Sequence, residues 1–200
     1  PPDSTGCPSL RNTAPVRAGA PGAVIGLGGV GVAALLGAVA AGARQIVAID
    51  LSGAKLEQAK ALGATHTVNA GSADAKDQVR ALSNGGVEYA FEFAGAIRAL
   101  ELAYAITRRG GMTVTAGLPP ATASLGINAV SLVAEERTLK GSYIGTCVPS
   151  RDIPRFIALY RQGRLPVDKL LTGRLKLDEI NHGFDLLHEG KAVRQVVVFS

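Results

Sequence analysis

A glycine-rich turn between an apolar strand and an apolar helix constrains this chain more than any other feature. The turn is Gly26-Leu27-Gly28-Gly29-Val30-Gly31, and it directly follows the β-branched run Ala23-Val24-Ile25. The apolar stretch that comes next, residues 30–41, has the composition of a buried helix. A G-x-G-x-x-G match alone is weak evidence in a glycine-rich chain. A match that joins a strand to a helix indicates a βαβ unit of a parallel sheet.

Short β-branched runs alternate with helical stretches up to about residue 144, which is the pattern of a parallel sheet covered by helices on both faces. Six strands are predicted, at residues 23–25, 45–49, 65–68, 87–93, 112–116 and 138–144. The predicted helices span 29–41, 52–62, 74–82, 97–106 and 130–134, with Ser52 as the N-cap of the second. Because the glycine turn follows the first strand, we expect an α/β doubly wound Rossmann sheet with strand order 3-2-1-4-5-6.

The glycines of the turn have predicted roles toward a pyrophosphate. Gly26 allows the sharp turn, Gly28 lets backbone N–H groups approach the phosphates, and Gly31 lets the helix and strand pack closely. The helix N-terminus supplies N–H groups and a partial positive charge. The turn therefore predicts a dinucleotide site, and a coincidental glycine turn is the weaker alternative.

An acidic residue, Asp50, ends the second predicted strand about 20 residues beyond the turn, where this fold places the acid that binds a ribose 2′-hydroxyl. A carboxylate there repels a 2′-phosphate, so NAD is predicted over NADP. A strand-end or capping aspartate is the alternative. Lys55 lies in the first turn of the next helix and could reach the adenosine ribose, although an ordinary solvated lysine fits its spacing equally well.

Composition favours a soluble protein over a nucleic-acid or membrane binder. The 200 residues, 47% of them apolar, suffice for one domain and a smaller unit, and the longest apolar run is shorter than the roughly 20 residues that cross a bilayer. The net charge is +5, but the basic residues are scattered without interleaved aromatics, as on a solvated surface that also attracts an anionic cofactor. Cys7 and Cys147 lack disulfide or zinc spacing and fit a reducing cytoplasm.

Many further segments carry a family resemblance. They are Asn12-Thr13-Ala14, Ala48-Ile49-Asp50, Leu62-Gly63-Ala64-Thr65, Asn84-Gly85-Gly86-Val87, Phe91-Glu92-Phe93-Ala94-Gly95, Gly117-Leu118-Pro119, Leu139-Lys140-Gly141-Ser142 and Asn181-His182-Gly183-Phe184-Asp185-Leu186-Leu187. With the glycine turn, they make the chain resemble the zinc-type medium-chain alcohol dehydrogenases, including the glutathione-dependent formaldehyde dehydrogenases, from about Leu10 to Ser200.

The resemblance implies residues along the whole cofactor. Gly28, Gly29 and Val30 would lie along the pyrophosphate, and Asp50 and Lys55 would hold the adenosine ribose. The remaining implied site residues are Arg194 at the pyrophosphate, Phe93, Ala94, Gly117 and Leu118 along the path from adenine to nicotinamide, and the backbone from Ser142 to Ile144 opposite the carboxamide.

The resemblance also implies a catalytic zinc bound by Cys, His and Cys from an N-terminal half that this sequence lacks. The third ligand would align with Pro1, Cys7 lies too late to replace it, and the four-cysteine structural zinc lobe is missing. Residues 2–9 keep only Thr5-Gly6 of the expected pattern, which suggests a cut edge. We therefore expect no catalytic or metal-binding residue here and an inactive chain, whereas the intact enzyme would transfer hydride between an alcohol or aldehyde and NAD.

Three units are predicted: an irregular N-terminal edge at 1–20, an NAD-binding Rossmann domain at 21–144, and a C-terminal segment at 145–200 that in the family returns to the catalytic domain. This segment is predicted to hold helices at 152–161 and 178–187 and a strand at 193–199, and to expose apolar surface. The outer strand near Thr138 to Ser142 has an unpaired edge that pairs between subunits in the family, so we expect a cytoplasmic homodimer.

Several residues invite a catalytic interpretation but fit a structural one better. The three histidines, His66, His182 and His188, do not have ligand spacing. Glu135-Glu136 is typical of a solvated turn, and Cys147 has no activating base near it in the sequence.

Two other functions stay open. One is a non-catalytic NAD-sensing or interaction module. The other is a zinc-free quinone or enoyl reductase of the same superfamily, against which Asp50 argues because those relatives usually take NADPH.

Overall fold

A six-stranded parallel sheet forms the centre of the molecule. A computed structural model describes residues 3–199, so Pro1, Pro2 and Ser200 lie outside the described part. The strands are β1 Pro21–Ile25, β2 Gln45–Asp50, β3 His66–Asn69, β4 Val87–Glu92, β5 Thr107–Thr115 and β6 Thr138–Gly141. Their order is β3-β2-β1-β4-β5-β6 and every neighbouring pair is parallel, which confirms the predicted fold.

Helices cover both faces of this sheet because its strands are apolar on both sides. The helices up to β6 are α1 Asp3–Pro8, α2 Gly29–Ala40, α3 Gly53–Ala61, α4 Ala75–Leu82, α5 Ile97–Ile106 and α6 Ala129–Ala134. One apolar cluster joins α2 and α3 to Val24 and Phe91, and the other joins α4 and α5 to Ile25 and Val47. Within residues 3–199, no helix is both long enough and apolar enough to span a membrane.

The N-terminal segment differs from the prediction of an irregular edge at 1–20. Its described part is helical from Asp3, as α1 followed by a π-helix at Ser9–Thr13. The helix packs so closely on α2 that a Cβ on Gly6 would lie 2.3 Å from the Val30 carbonyl oxygen. Pro8 and the small polar residues around it have low helix propensity, and the contact with α2 overrides that propensity.

The C-terminal segment forms a second, smaller sheet. Its elements are α7 Pro149–Arg161, β7 Leu171–Leu175, α8 Ile180–His188 and β8 Arg194–Val197, with 3₁₀ turns at Ile144–Thr146, Val167–Leu170 and Leu177–Glu179. β7 pairs in parallel with β8 and was not predicted. Leu165 and Leu170 are buried in the cluster that contains α2, so the segment packs against α2 on one face of the six-stranded sheet. It also exposes apolar surface at Phe184 and Phe199, as predicted.

A buried set of hydroxyl groups joins the N-terminal segment to the start of the C-terminal one. The Ser142 Oγ lies 2.9 Å from the Ser9 Oγ and 2.8 Å from the Thr13 Oγ1, and the Thr13 Oγ1 lies 2.8 Å from the Thr146 Oγ1. The Lys140 ammonium donates to the Thr13 carbonyl at 2.9 Å. These bonds fix the chain beside the carboxyl end of β6. The strand was predicted to reach residue 144, but it ends at Gly141 because the chain turns there into the 3₁₀ helix at Ile144–Thr146.

Candidate functional site

The candidate site lies at the carboxyl ends of the strands, where β1 and β4 are neighbours and the strand order reverses. Ligands of open α/β sheets bind at this switch point because the loops on either side diverge and leave a crevice. The loops after β1, β2, β4, β5 and β6 all emerge here, and they contain most of the residues predicted from the sequence.

The glycine turn has the geometry expected of a tight strand-to-helix connection. Gly26 has a φ of +86°, and its N–H donates to the Ile49 carbonyl at 2.9 Å. A Cβ on Gly31 would lie 1.8 Å from the Gly26 carbonyl oxygen. Only glycine allows the turn and the first turn of α2 to approach this closely.

Gly28 differs from these two glycines because protein packing does not require it. It is exposed, its φ is −75°, and a Cβ on it would meet nothing within 4 Å. It occupies the N-cap position of α2, and no side chain caps this helix. The open space beside an uncapped helix N-terminus fits a phosphate group, which the first-turn N–H groups would bind.

Asp50 lies at the end of β2 with both carboxylate oxygens directed at backbone donors. Its Oδ2 accepts from the Leu27 N–H at 2.7 Å, and its Oδ1 accepts from the Ser52 N–H at 2.9 Å. Ser52 occupies the N-cap position of α3, as predicted, and its side chain makes no capping hydrogen bond. An ionised carboxylate has about four acceptor positions, which leaves room for ribose hydroxyls beside these two donors.

The C-terminal segment reaches the same end of the sheet. A Cβ on Gly29 would lie 3.3 Å from the Val193 carbonyl oxygen, and one on Gly190 would lie 3.5 Å from the Lys55 Nζ. Arg194 follows Val193 directly and is half-buried at the start of β8. The structure therefore brings Lys55, the segment containing Arg194, and the glycine turn together.

The loop after β4 borders the glycine turn. A Cβ on Gly26 would lie 2.6 Å from the Ala94 backbone nitrogen, and Ala94 is exposed. The Phe93 ring stacks on Phe91, with ring centroids 6.4 Å apart and planes at 5°. The Phe93 side chain is thus partly buried against the core, and the backbone of this loop borders the glycine turn.

A cavity of about 540 Å³ lies beyond this loop, between β5, β6 and α1. Gly117, Leu118 and the predicted segment from Ser142 to Ile144 line it. The sequence analysis did not assign the other lining residues, which are Thr5, Thr115, Ala116 and Gly141. The Thr5-Gly6 pair and the strand-end position of Thr115 were signals that could have indicated two of them.

Glu92, at the end of β4, is a second residue that the sequence analysis did not assign to the site. It is 1% exposed, and its carboxylate accepts one bond from the Gly95 N–H and one from the Thr115 hydroxyl, both at 2.6 Å. It therefore lies directly behind the wall of the cavity. β4 also contains Glu88, so an acidic residue in this strand gives no sequence signal for the site.

The remaining titratable candidates do not converge on the site. The His66 Nδ1 lies 2.9 Å from the Thr65 hydroxyl at the opposite edge of the sheet, and His182 and His188 are exposed on α8. Glu135 forms an ion pair with Arg137. Among residues 3–199, no three His, Cys, Asp or Glu side chains are grouped so that they could hold a metal ion, and Pro1, the predicted position of a zinc ligand, lies outside this range.

The pKa of Cys147 is raised, first by burial and then by the nearby Asp152 carboxylate. A raised pKa keeps the thiol protonated and unreactive at neutral pH. This agrees with the interpretation of Cys147 as a structural thiol.

Comparison with known proteins adds a family to this geometry. Residues 29–162 match the family of zinc-binding dehydrogenases. The chain is 37% identical to an alcohol dehydrogenase class-3 of Cereibacter sphaeroides and 34% identical to an S-(hydroxymethyl)glutathione dehydrogenase of Paracoccus denitrificans. Both similarities cover 98% of this chain and 54% of the relative, so the chain spans about half the length of these curated relatives.

Solved structures show the same relationship. A zinc-binding-domain alcohol dehydrogenase from Burkholderia ambifaria superposes with a TM-score of 0.95 at 31% identity, over 99% of this chain and 53% of that one. The benzyl alcohol dehydrogenase of Acinetobacter calcoaceticus superposes with a TM-score of 0.95 at 29% identity, over 99% and 54% respectively.

Proposed function

Because this chain belongs to the family of zinc-binding dehydrogenases, we propose that it is the NAD-binding portion of a cytoplasmic, zinc-type alcohol dehydrogenase. Residues 21–144 are the proposed NAD-binding domain. Residues 145–200 are proposed to join the catalytic domain of the whole enzyme. The relatives named alcohol dehydrogenase class-3 and S-(hydroxymethyl)glutathione dehydrogenase support an alcohol or aldehyde as its substrate class.

The position of Asp50 beside the glycine turn carries this proposal. Its carboxylate accepts a 2.7 Å hydrogen bond from the Leu27 N–H, so the acidic group at the end of β2 lies directly against the glycine turn. The ribose hydroxyls would bind to this carboxylate, with Lys55 on their other side. The pyrophosphate would bind at Gly28, Gly29 and Val30 with the Arg194 guanidinium, and the same negative charge would repel the 2′-phosphate of NADP.

The cavity beside β5 and β6 is the proposed nicotinamide site. Bound NAD supplies a nicotinamide ring that accepts or donates hydride. The chain's own contribution is to orient that ring: Ala94, Gly117 and Leu118 would border it, and the backbone from Ser142 to Ile144 would hold the carboxamide. Gly117, Leu118 and the segment from Ser142 to Ile144 line the cavity, which supports the assignment.

Activation of the alcohol is not assigned to this chain. The described residues do not fit a zinc ion, because no three suitable side chains are grouped. We therefore propose no step of the reaction through a metal held here, and we expect no alcohol oxidation by the chain alone. A non-catalytic NAD module is the second candidate, and a coding sequence upstream of Pro1 that supplies Cys and His zinc ligands would exclude it. A zinc-free quinone or enoyl reductase fits Asp50 less well.

The exposed edge of β6 supports a homodimer. Among the described residues, β6 pairs only with β5, and α6 beside it exposes Val130 and Val133. An unpaired strand edge flanked by exposed apolar side chains favours association with a second copy.

Calorimetric titration of the chain with NAD and with NADP tests the cofactor assignment. We expect NAD to bind more tightly than NADP. We also expect Asp50→Ala to weaken NAD binding more than NADP binding. Preference of the unmodified chain for NADP, or unchanged NAD binding in Asp50→Ala, would contradict the proposal.

A further inference from the structure

Glu92 is a buried acid that the proposed cofactor contacts do not use. It ends β4, opposite Thr115 of β5 and Ile25 of β1, and it is 1% exposed. Burying a carboxylate is costly unless hydrogen bonds satisfy it, and an apolar side chain of similar size would fill the same space at a lower cost. The groups that donate hydrogen bonds to Glu92 therefore indicate why a carboxylate occupies this buried position.

Those bonds connect two loops that lie at the crevice. The Oε1 accepts from the Gly95 N–H in the loop after β4, and the Oε2 accepts from the Thr115 hydroxyl at the end of β5, each at 2.6 Å. The Glu92 carbonyl also accepts from the Ala116 and Gly117 N–H groups, at 3.0 and 3.3 Å. One residue thus holds the backbone of both loops.

The two loops are in direct backbone contact around this carboxylate. A Cβ on Gly117 would lie 2.3 Å from the Gly95 nitrogen and 2.8 Å from the Glu92 Oε1. A Cβ on Gly95, which has a φ of +68°, would lie 3.1 Å from the Leu118 carbonyl oxygen. No side chains separate the loops, and both the carboxylate and the carbonyl of Glu92 bind them. The cavity wall at Thr115, Gly117 and Leu118 follows from the spacing of the loops.

We propose that Glu92 is a positioning residue that holds the two loops behind the nicotinamide ring, so that it sets affinity for the nicotinamide half of the cofactor and not for the adenosine half. This inference rests on the proposed NAD site. It assigns no contact between Glu92 and the cofactor, because the carboxylate lies behind the cavity wall with both oxygens bonded to the loops.

The test compares two ligands that differ only in the nicotinamide half. Dissociation constants are measured for NADH and for ADP-ribose with the unmodified chain and with Glu92→Leu, Glu92→Gln and Thr115→Val. Glu88→Leu is the matched control, since Glu88 lies on the same strand and pairs with Arg108 at the other end of it. Hydrogen exchange of peptides covering 93–96 and 116–120 is measured without ligand.

We expect Glu92→Leu to raise the dissociation constant for NADH by about tenfold, because the substitution leaves the Gly95 N–H without its acceptor. ADP-ribose should bind within about twofold of the unmodified chain, and exchange in both loops should accelerate. Glu92→Gln keeps one acceptor oxygen for Gly95 and should restore most of the NADH affinity. Thr115→Val should have a smaller effect of the same kind.

Three results would overturn the inference. Equal weakening of NADH and ADP-ribose would make Glu92 a general structural residue. Unchanged NADH binding or unchanged loop exchange in Glu92→Leu would remove its role in spacing the loops. Failure of the unmodified chain to bind either ligand would contradict the proposed function itself. Titration of the unmodified chain, which comes before any variant is measured, distinguishes this outcome from the other results.

Discussion

The Asp50 carboxylate and the Leu27 backbone N–H form a 2.7 Å hydrogen bond between the end of β2 and the middle of the glycine turn. Leu27 is itself fully buried, so this bond satisfies a backbone donor that water does not reach. Asp50 therefore has a structural role in fixing the turn, in addition to the ribose contact proposed for it. Any substitution of Asp50 changes both roles, and their separation requires matched variants.

Stability measurements separate the two roles of Asp50. Asp50→Ala leaves the Leu27 and Ser52 N–H groups without acceptors and should lower the free energy of unfolding by about 1–3 kcal/mol. Asp50→Asn keeps one acceptor oxygen and should cost less than Asp50→Ala. Urea unfolding without cofactor measures both, with Asp77→Ala as an exposed control. Equal stability of Asp50→Ala and the unmodified chain would show that the turn does not need this carboxylate.

Two glycines of the turn should respond to alanine in opposite ways. Gly28→Ala adds a methyl group into open space and should leave the free energy of unfolding within about 1 kcal/mol, yet it should weaken NAD by at least about tenfold because the methyl occupies the proposed phosphate position. Gly31→Ala places a Cβ 1.8 Å from the Gly26 carbonyl oxygen and should lower the free energy of unfolding by about 3 kcal/mol or more.

Urea unfolding and NAD titration of both variants check this pair. A Gly28→Ala protein that binds NAD as tightly as the unmodified chain would move the phosphate site away from this residue.

Sequence patterns predicted the sheet because the features that specify its strands and turns lie within short stretches of the chain. The apolar runs of β1 and β2 and the turn at Gly26 specify a parallel sheet with the observed strand order. The strand boundaries differ from the prediction by at most three residues, except that β5 begins at Thr107 and not at residue 112. The predicted site residues at the strand ends follow from that order, because parallel strands bring their carboxyl ends to one edge. Glu92 was not assigned because Thr115, whose hydroxyl donates to its carboxylate, meets it only after β4 and β5 pair.

The elements that sequence patterns missed depend on distant contacts. β7 has the sequence Leu-Thr-Gly-Arg-Leu, whose central glycine weakens the strand pattern, and it exists through pairing with β8 about twenty residues later. The helix at Asp3–Pro8 is held by its contact with α2 through Gly6.

Asp152 should make stability depend on acidic pH. Its pKa is held well below the ordinary value by hydrogen bonds from Arg151, from the Val148 N–H and from the Asn12 amide. Because the folded pKa is lowered, the stabilisation is complete above the unfolded pKa of about 3.9 and is lost as the pH falls from there through the folded value. Urea unfolding from about pH 7 to about pH 2 should give a smaller acid-induced loss in Asp152→Asn than in the unmodified chain.

At neutral pH, Asp152→Asn should be the less stable protein, because it loses the charge-assisted bonds that join Asn12 to the start of α7. Asp178→Asn, at an exposed position, should follow the unmodified chain. Parallel pH profiles for Asp152→Asn and the unmodified chain would contradict the predicted linkage.

The two cysteines should react slowly with iodoacetamide in the folded chain. Cys7 is buried and its thiol donates to the Ala33 carbonyl at 3.0 Å, so it should react only on unfolding. Cys147 is partly accessible, but burial and Asp152 raise its pKa and lower its thiolate fraction. Asp152→Asn should therefore accelerate alkylation of Cys147 and leave Cys7 unchanged, as followed by mass spectrometry. Faster alkylation of Cys147 than of a free thiol peptide at neutral pH would contradict its assignment as an unreactive thiol.

The oligomeric state should depend on two side chains of α6. Val130 is 70% exposed and Val133 is 79% exposed, so aspartate at either position adds charge without disturbing the core. If the edge of β6 pairs with a second copy, each α6 lies beside the interface, and two buried like charges would oppose association.

Sedimentation velocity should show a dimer for the unmodified chain and a monomer for Val130→Asp combined with Val133→Asp, with the free energy of unfolding unchanged. Leu51→Asp, exposed in the loop after β2, should remain dimeric. Because NAD would bind on the carboxyl ends of the strands and not on the edge of β6, the monomeric variant should still bind NAD, and a monomeric unmodified chain would refute the interface.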